Sequence, residues 1–260
     1  MKRAVEFMRG FDERLAERVV RAPLGRALLT PSLPRVYYLN HFSVDLGVEA
    51  SADELVAEAE PLLAGAALAH RKVTVDDELG ARLAPRFREL GWRVEELLVM
   101  RHAGRPPGVD TSAIEEIDPY ELEPIWADGM RASPEIADEE EVRQLVAAQH
   151  RRRQAVDVRY FAARVEGEIA SYCELFSDGG TAQIESVMTL EPFRGRGLAQ
   201  AAVSRAVAEA RAAGHDFAFL VAEAEDWPKE LYRKLGFEAA GSVWDFLLPP
   251  IRAARASPGA

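Results

Sequence analysis

The run Met188-Thr189-Leu190-Glu191-Pro192-Phe193-Arg194-Gly195-Arg196-Gly197-Leu198-Ala199 has the residue types and spacing to bind a multiply charged anion. An apolar stretch ends, two glycines follow, and an alanine-rich amphipathic pattern begins at once. That order reads as a strand, a tight loop and a helix N-terminus. The first-turn N–H groups of a helix have no intrahelical acceptor, and its dipole adds partial positive charge at the same point. Gly195 and Gly197 leave room for a ligand against the main chain, which makes the junction a candidate pyrophosphate site. No Lys-Ser or Lys-Thr pair follows, so it is not a P-loop. Its glycines are too closely spaced for the dinucleotide fingerprint.

A second segment downstream makes the pattern specific: Leu231-Tyr232-Arg233-Lys234-Leu235-Gly236-Phe237. Arg194-x-x-Gly197-x-Ala199 and Leu231-Tyr232-x-Lys234-Leu235-Gly236-Phe237, at this separation, resemble the GCN5-related N-acetyltransferase family across roughly residues 112 to 248. The resemblance implies an α/β (α+β) fold with a mixed central sheet flanked by helices. It also implies acetyl-CoA as cosubstrate, no metal, and a small-molecule, peptide or protein amine as acceptor. It assigns the backbone of Met188, Thr189 and Leu190 to the pantetheine arm. Main-chain N–H groups from Arg196 through Gly197, Leu198, Ala199 and Gln200 would take the pyrophosphate beside Gly195, with Arg194 supporting the loop. Tyr232 would be the general acid toward the coenzyme sulfur.

Glu185 is the candidate general base, five residues before Leu190 on the strand entering the loop. Regular alternation places Ile184 and Ser186 on one face and Glu185 with Val187 on the other. A carboxylate beside apolar side chains has a raised pKa and accepts a proton, directly or through water. The other reading is an exposed strand glutamate. Where many family members carry Asn and a small residue, this chain has Glu225 and Pro228. Glu225 is therefore expected near the cofactor arm or the acceptor. The acidic run Glu135, Asp138, Glu139, Glu140, Glu141 is either an acceptor pocket for a cationic amine or a solvated helix start. His150-Arg151-Arg152-Arg153 is either a set of cations at a helix C-terminus or a grip on the coenzyme phosphate. A non-catalytic acyl-CoA-binding regulatory or sensor module is the alternative function, since it would keep the loop and not need Tyr232 or Glu185.

The composition agrees with these assignments. The chain has 260 residues, 48% of them hydrophobic, and a formal net charge of −11. That balance argues against sequence-independent nucleic-acid binding, which requires cationic surface to release counterions. It suits a cationic substrate. One cysteine, Cys173, excludes an intramolecular disulfide, and its apolar neighbours point to packing. The five histidines lack metal-ligand spacing. No apolar run reaches the length of a membrane span; a cytoplasmic protein is the expectation, and a homodimer is compatible with it.

The elements that must position these residues follow from periodicity and turn residues. An amphipathic helix is expected over residues 4–20, ended by Pro23; its arginine-rich face also admits a membrane-surface reading. Strand 35–45, helix 52–65, strand 69–75, helix 77–90 and strand 92–100 precede a linker at Arg105-Pro106-Pro107-Gly108. Beyond it, strand 114–117, helix 119–131, an acidic loop and helix 140–149 lead to strands 158–165, 168–176 and 182–190. Helix 197–213, strand 217–221, a short helix 227–235 with Asp226 as N-cap, and strand 237–248 complete the unit.

His70–Trp92 superposes on His215–Phe237 without a gap, with Phe87 over Tyr232 and Leu90-Gly91-Trp92 over Leu235-Gly236-Phe237. One reading is a degenerate copy of the same half-fold, similar to tandem acetyltransferases in which one domain is structural; the other is an unrelated α/β domain with a common ending. The expected organisation is a smaller degenerate domain at 1–105, a catalytic domain at 109–250 and a flexible tail at 251–260.

Overall fold

The computed structural model describes residues 1–76, 78–104 and 108–250; Asp77, most of the expected linker and the expected tail lie outside the described residues. The elements are α1 (Lys2–Leu15), β1 (Arg18–Ala22), β2 (Gly25–Leu29), β3 (His41–Val44), α2 (Ala52–Gly65), β4 (Arg71–Asp76), α3 (Glu78–Glu89) and β5 (Arg93–His102). They continue with β6 (Ile114–Ile117), α4 (Glu123–Ala132), α5 (Glu139–Arg151), β7 (Asp157–Val165), β8 (Glu168–Asp178) and β9 (Thr181–Thr189). Last come α6 (Leu198–Ala212), β10 (Phe217–Glu223), α7 (Pro228–Lys234) and β11 (Phe237–Leu248).

The chain forms two compact units that do not follow a single cut near residue 105. One comprises Met1–Leu15 and Glu95–Val243; the other comprises Ala16–Val94 and the chain from Trp244 onward. Two segments expected in the smaller domain therefore belong with the larger unit. α1 joins because Phe7 packs edge-on against Phe219 at 5.6 Å and Arg3 Nε donates to Thr181 Oγ1 at 2.8 Å. β5 joins because it pairs antiparallel with β10, Arg101 opposite Phe219 and Leu97 opposite Glu223.

In this larger unit the strands run β5-β10-β9-β8-β7-β6, with the start of β11 beside β5. β9 and β10 are parallel, whereas β6-β7, β7-β8 and β8-β9 are antiparallel. One sheet face is covered by α6 and α7 over Phe161, Cys173, Leu175, Ile184, Leu220 and Phe237. The other carries Tyr160, Ala162 and Tyr172, in one cluster with Trp126 of α4 and Val146 of α5.

The smaller unit pairs β1-β2-β3 antiparallel and β3-β4 parallel, with the end of β11 next to β4. The expected helix over 4–20 stops at Leu15, because β-branched Val19 and Val20 enter a hairpin that turns at Pro23-Leu24. The expected strand over 35–45 shrinks to His41–Val44. Asn40 causes this. Its Nδ2 donates to Leu33 O (2.9 Å) and Val36 O (3.0 Å), and its Oδ1 accepts from Thr30 N (2.8 Å), curling residues 37–39 into a 3-10 turn.

Trp244, at the start of the β11 segment in the smaller unit, lies against α3 where Gly80 supplies no side chain. A Cβ there would overlap Trp244 Cβ, Cγ and Cδ1. Gly80→Val is therefore expected to lower unfolding free energy by about 3 kcal/mol, at the upper end of overpacking costs. Urea denaturation measures it, and a loss within error would mean that the Trp244 ring moves freely.

Candidate functional site

β9 and α6 bring the glycine loop and Tyr232 into one region. β9 and β10 pair in register from Thr181/Phe217 to Ile184/Leu220 and no further, although β9 runs on to Thr189 and β10 to Glu223. The two parallel strands part there and leave one edge of β9 without a ladder partner. On its other edge β9 stays paired to β8, but with a bulge. Glu174 opposes Glu185 and Tyr172 opposes Met188, so Cys173 faces both Ser186 and Val187. Ser186 takes φ +52°, a left-handed conformation that a non-glycine residue adopts at a cost.

The bulge overturns the expected alternation around Glu185. Val187 packs into the same cluster as Ile184 under α6 and α7. Glu185 points to the opposite face and accepts a hydrogen bond from Gln183 Nε2. One extra residue flips the side-chain sequence, because the period of two holds only while pairing is regular. Glu185 is half-buried, and burial raises its carboxyl above the ordinary carboxylate range; Arg152 and the Gln183 hydrogen bond oppose the rise, and Glu174 adds to it.

At the strand end, Leu190 N–H donates to Ala170 O at 2.9 Å. Antiparallel alternation then turns the peptide groups of Thr189 toward the parted side. Met188 O accepts from Ser171 Oγ at 2.7 Å. Arg194 Nε donates to Thr189 O at 3.3 Å and ties the loop back onto the strand. Gly195 and Gly197 both lie in the left-handed region, φ +78° and +75°. A Cβ on Gly195 would meet nothing within 4 Å, and one on Gly197 only Gln200 Oε1 at 3.9 Å, so open space lies before both.

Gly197 is the N-cap of α6 and supplies no side-chain cap. The first-turn N–H groups of Leu198, Ala199 and Gln200 therefore need an acceptor from elsewhere. α2 and α5 close their own ends: Ser51 and Glu54 form a capping box on α2, and Asp138 caps α5. Small residues explain how α6 reaches this place. Ala201, Ala202, Val203, Ala206 and Ala210 are buried against the sheet, and Cys173 Sγ approaches Ala202 O at 3.5 Å.

Tyr232 belongs to the same apolar cluster as Ile184 and Leu220, the last pair before β9 and β10 part. Burial first, then the Glu185 charge, pushes its phenol up to about 12. Glu225 stands exposed in the loop between β10 and α7. The α7 N-cap is Trp227 rather than Asp226; the Asp226 carboxylate instead accepts from Trp227 N–H at 2.7 Å.

The acidic run is a helix start. Glu139 pairs with Arg131 at 2.9 Å, Glu140 pairs with Arg143, and Asp138 accepts from Glu141 N–H at 3.0 Å. Among the basic residues after it, Arg152 turns inward. Its Nη1 donates to Glu174 Oε2 at 2.8 Å and to Ser186 Oγ at 3.0 Å. That geometry turns Arg152 to a carboxylate, not to a phosphate. The sequence gives no separate role to Arg152, Glu174 or Ser186. Glu174 carries the one available signal, a charge inside the otherwise apolar run of β8.

No described helix is long and apolar enough to cross a membrane. Among the described residues no group of three or more His, Cys, Asp or Glu side chains could hold a metal.

Residues 121–237 match the acetyltransferase (GNAT) family. No curated protein matches the chain. Solved structures of similar fold include a functionally unknown conserved protein from Staphylococcus epidermidis ATCC 12228, at 17% identity and TM-score 0.69 over 91% of this chain and 95% of that one. A GCN5-related N-acetyltransferase from Kribbella flavida aligns at 18% identity and TM-score 0.66 over 98% and 96% of the two chains. A tandem GNAT protein from the clavulanic acid biosynthesis pathway aligns at 16% identity and TM-score 0.57 over 88% and 81%. At these identities the likeness is one of fold.

Proposed function

We propose that this chain, whose residues 121–237 match the acetyltransferase (GNAT) family, moves an acetyl group from acetyl-CoA to a primary amine by direct attack in a ternary complex. The observation that carries the reading is the uncapped N-terminus of α6 behind Gly195 and Gly197, at the end of a strand that parts from its neighbour. The left-handed glycines and the first helical turn offer converging N–H groups to a diphosphate. The gap between β9 and β10 offers the peptide groups of Thr189 to an amide-bearing arm.

An acceptor amine has a pKa near ~10 and must lose a proton before it attacks. Glu185, with its carboxyl raised by burial, takes that proton directly or through water. The amine nitrogen adds to the thioester carbonyl. Collapse of the tetrahedral intermediate breaks the carbon–sulfur bond, Tyr232 gives its phenolic proton to the departing sulfur, and the second proton leaving the amide nitrogen restores the phenol. No covalent enzyme intermediate is required, and Cys173, wholly buried with a thiol pushed up by burial, stays outside the chemistry.

The smaller unit reads as a degenerate copy without a coenzyme site. Its β3 and β4 are parallel, as β9 and β10 are. But Ser51 Oγ and the Glu54 carboxylate occupy the N-terminus of α2 that corresponds to the diphosphate site. Phe87 stands where Tyr232 stands, without a hydroxyl.

Acetyl-CoA at a hundred times its dissociation constant is expected to stabilise the folded chain by about 2.7 kcal/mol. Thiol release from acetyl-CoA across a panel of amines is expected for at least one acceptor. Stabilisation with no thiol release for any amine would favour a non-catalytic acyl-CoA-binding module. Absence of stabilisation would remove the coenzyme assignment.

A further inference from the structure

The larger unit contains a buried ion pair that the proposed reaction does not use. Glu174 and Arg152 side chains are only 1% and 14% exposed, and their charged atoms stand 2.8 Å apart. Such a pair does little for stability, since desolvation consumes most of the attraction. Its placement is more informative. Glu174 is the cross-strand partner of Glu185, immediately beside the bulge. The same guanidinium nitrogen that meets Glu174 Oε2 also meets Ser186 Oγ at 3.0 Å, on the one residue of β9 with a left-handed backbone.

We propose that Arg152 and Glu174 are positioning residues for Glu185: clamped between Glu174 and Ser186, the Arg152 guanidinium holds the bulge that turns Glu185 away from the core and supplies the cationic field its carboxyl experiences. One Nη1 amino group serves both, its two N–H bonds directed to the Glu174 carboxylate and the Ser186 hydroxyl, and the planar guanidinium fixes those two directions where a flexible ammonium does not. Without the bulge, regular alternation would place Val187 beside Glu185 and turn the side chains beyond it to the wrong faces. The charge near Glu185 has two opposed sources, Arg152 from the turn after α5 and Glu174 from β8, with Arg152 the stronger. Its other polar neighbours are Gln183 and Ser186 on its own strand and Tyr232 from α7. Tyr172 and Tyr160 on the same face sense Glu174 and Arg152 and stay protonated, pushed up to about 12 chiefly by burial.

This inference rests on the proposed reaction only for its kinetic consequence, so the decisive test reads Glu185 itself. The full chain is labelled with 13C at the glutamate carboxyls, the Glu185 resonance is identified by its loss in Glu185→Gln, and its titration is followed by NMR. Arg152→Met is expected to raise the Glu185 pKa by about one pH unit, the lower end for removal of a nearby opposite charge. Glu174→Gln is expected to lower it, and Arg152→Lys, which keeps the positive charge, to leave it near the wild-type value. Removing Arg152 strands a buried carboxylate and could prevent folding. The double variant Arg152→Met/Glu174→Gln leaves no lone charge and keeps the test open, with the Glu185 pKa expected above wild type because Arg152 is the stronger influence.

In turnover, the acidic limb of kcat/KM is expected to follow the same directions. An unmoved Glu185 titration in the single and double variants overturns the proposal, even if Glu185→Gln abolishes turnover. Opposite shifts in Arg152→Met and Glu174→Gln sustain it, even if Glu185→Gln leaves turnover intact, a result that would instead remove the base assignment.

Discussion

Gly197→Asp leaves the chain folded and weakens acetyl-CoA binding at least about 100-fold, a loss near 3 kcal/mol. Two independent costs combine. At φ +75° an L-residue pays roughly 1–2 kcal/mol of backbone strain. The space in front of Gly197 is open, and an added Cβ would meet only Gln200 Oε1, at 3.9 Å, so packing is not disturbed. The larger cost is electrostatic. A carboxylate at the N-cap of α6 takes the first-turn N–H groups and puts negative charge where the diphosphate would lie. Gly197→Ala separates the two, because it carries the strain without the charge and should lose much less affinity. Isothermal titration of acetyl-CoA into both variants gives the answer. Binding by Gly197→Asp within about threefold of wild type would mean that the diphosphate is held elsewhere.

Tyr232→Phe reduces kcat by about 100-fold or more, within the range for loss of a positioned general acid, and leaves acetyl-CoA affinity nearly unchanged. The phenol is pushed up to about 12 by burial and by Glu185, so it remains protonated throughout the neutral range and keeps a proton to give. The sign matters for the pH profile: ionisation of Tyr232 removes activity only toward pH 12, and an alkaline limb near neutrality must come from another group. Tyr232 packs through its ring against the cluster under α6 and α7, and phenylalanine preserves that packing. Denaturation midpoints of the two proteins should therefore agree while their turnover differs. Equal kcat values, with a competent acceptor in excess, would strip Tyr232 of its assigned role.

Most of what lies along the chain can be read from its residues. The alanine-rich pattern after Gly197 predicts α6, and the structure begins that helix at Leu198. The Leu-Tyr-x-Lys-Leu-Gly-Phe segment predicts a short helix and a glycine stop, and Gly236 takes φ +89° at the end of α7. These features are local: helix period, β-branching and left-handed glycines act within a few residues and leave their mark in the order of residue types.

Where partners come from distant parts of the chain, the residues are silent or misleading. Val19 and Val20 lie in a helical pattern read alone, but they pair with Leu28 and Ala27 once β2 is present. Asn40 looks like part of a strand until its side chain gathers Thr30, Leu33 and Val36. The place of β5 in the larger unit depends on β10, more than a hundred residues away. Glu185 is legible as a carboxylate that could accept a proton, but its face is set by a bulge, and a bulge depends on how two strands count against each other.

Sequence alone thus determined the chemistry on offer: a glycine-bearing strand–helix junction, a tyrosine on a short helix and a carboxylate on the strand that enters the junction. Tertiary structure alone decided that β9 leaves β10 after Ile184, that Ser186 reverses the side-chain order, and that Arg152 is committed to Glu174. The physical reason is one of range. Backbone preferences are settled by neighbours in the chain, whereas the direction of a side chain in a sheet and the charge it feels are settled by strands and turns that only folding brings together.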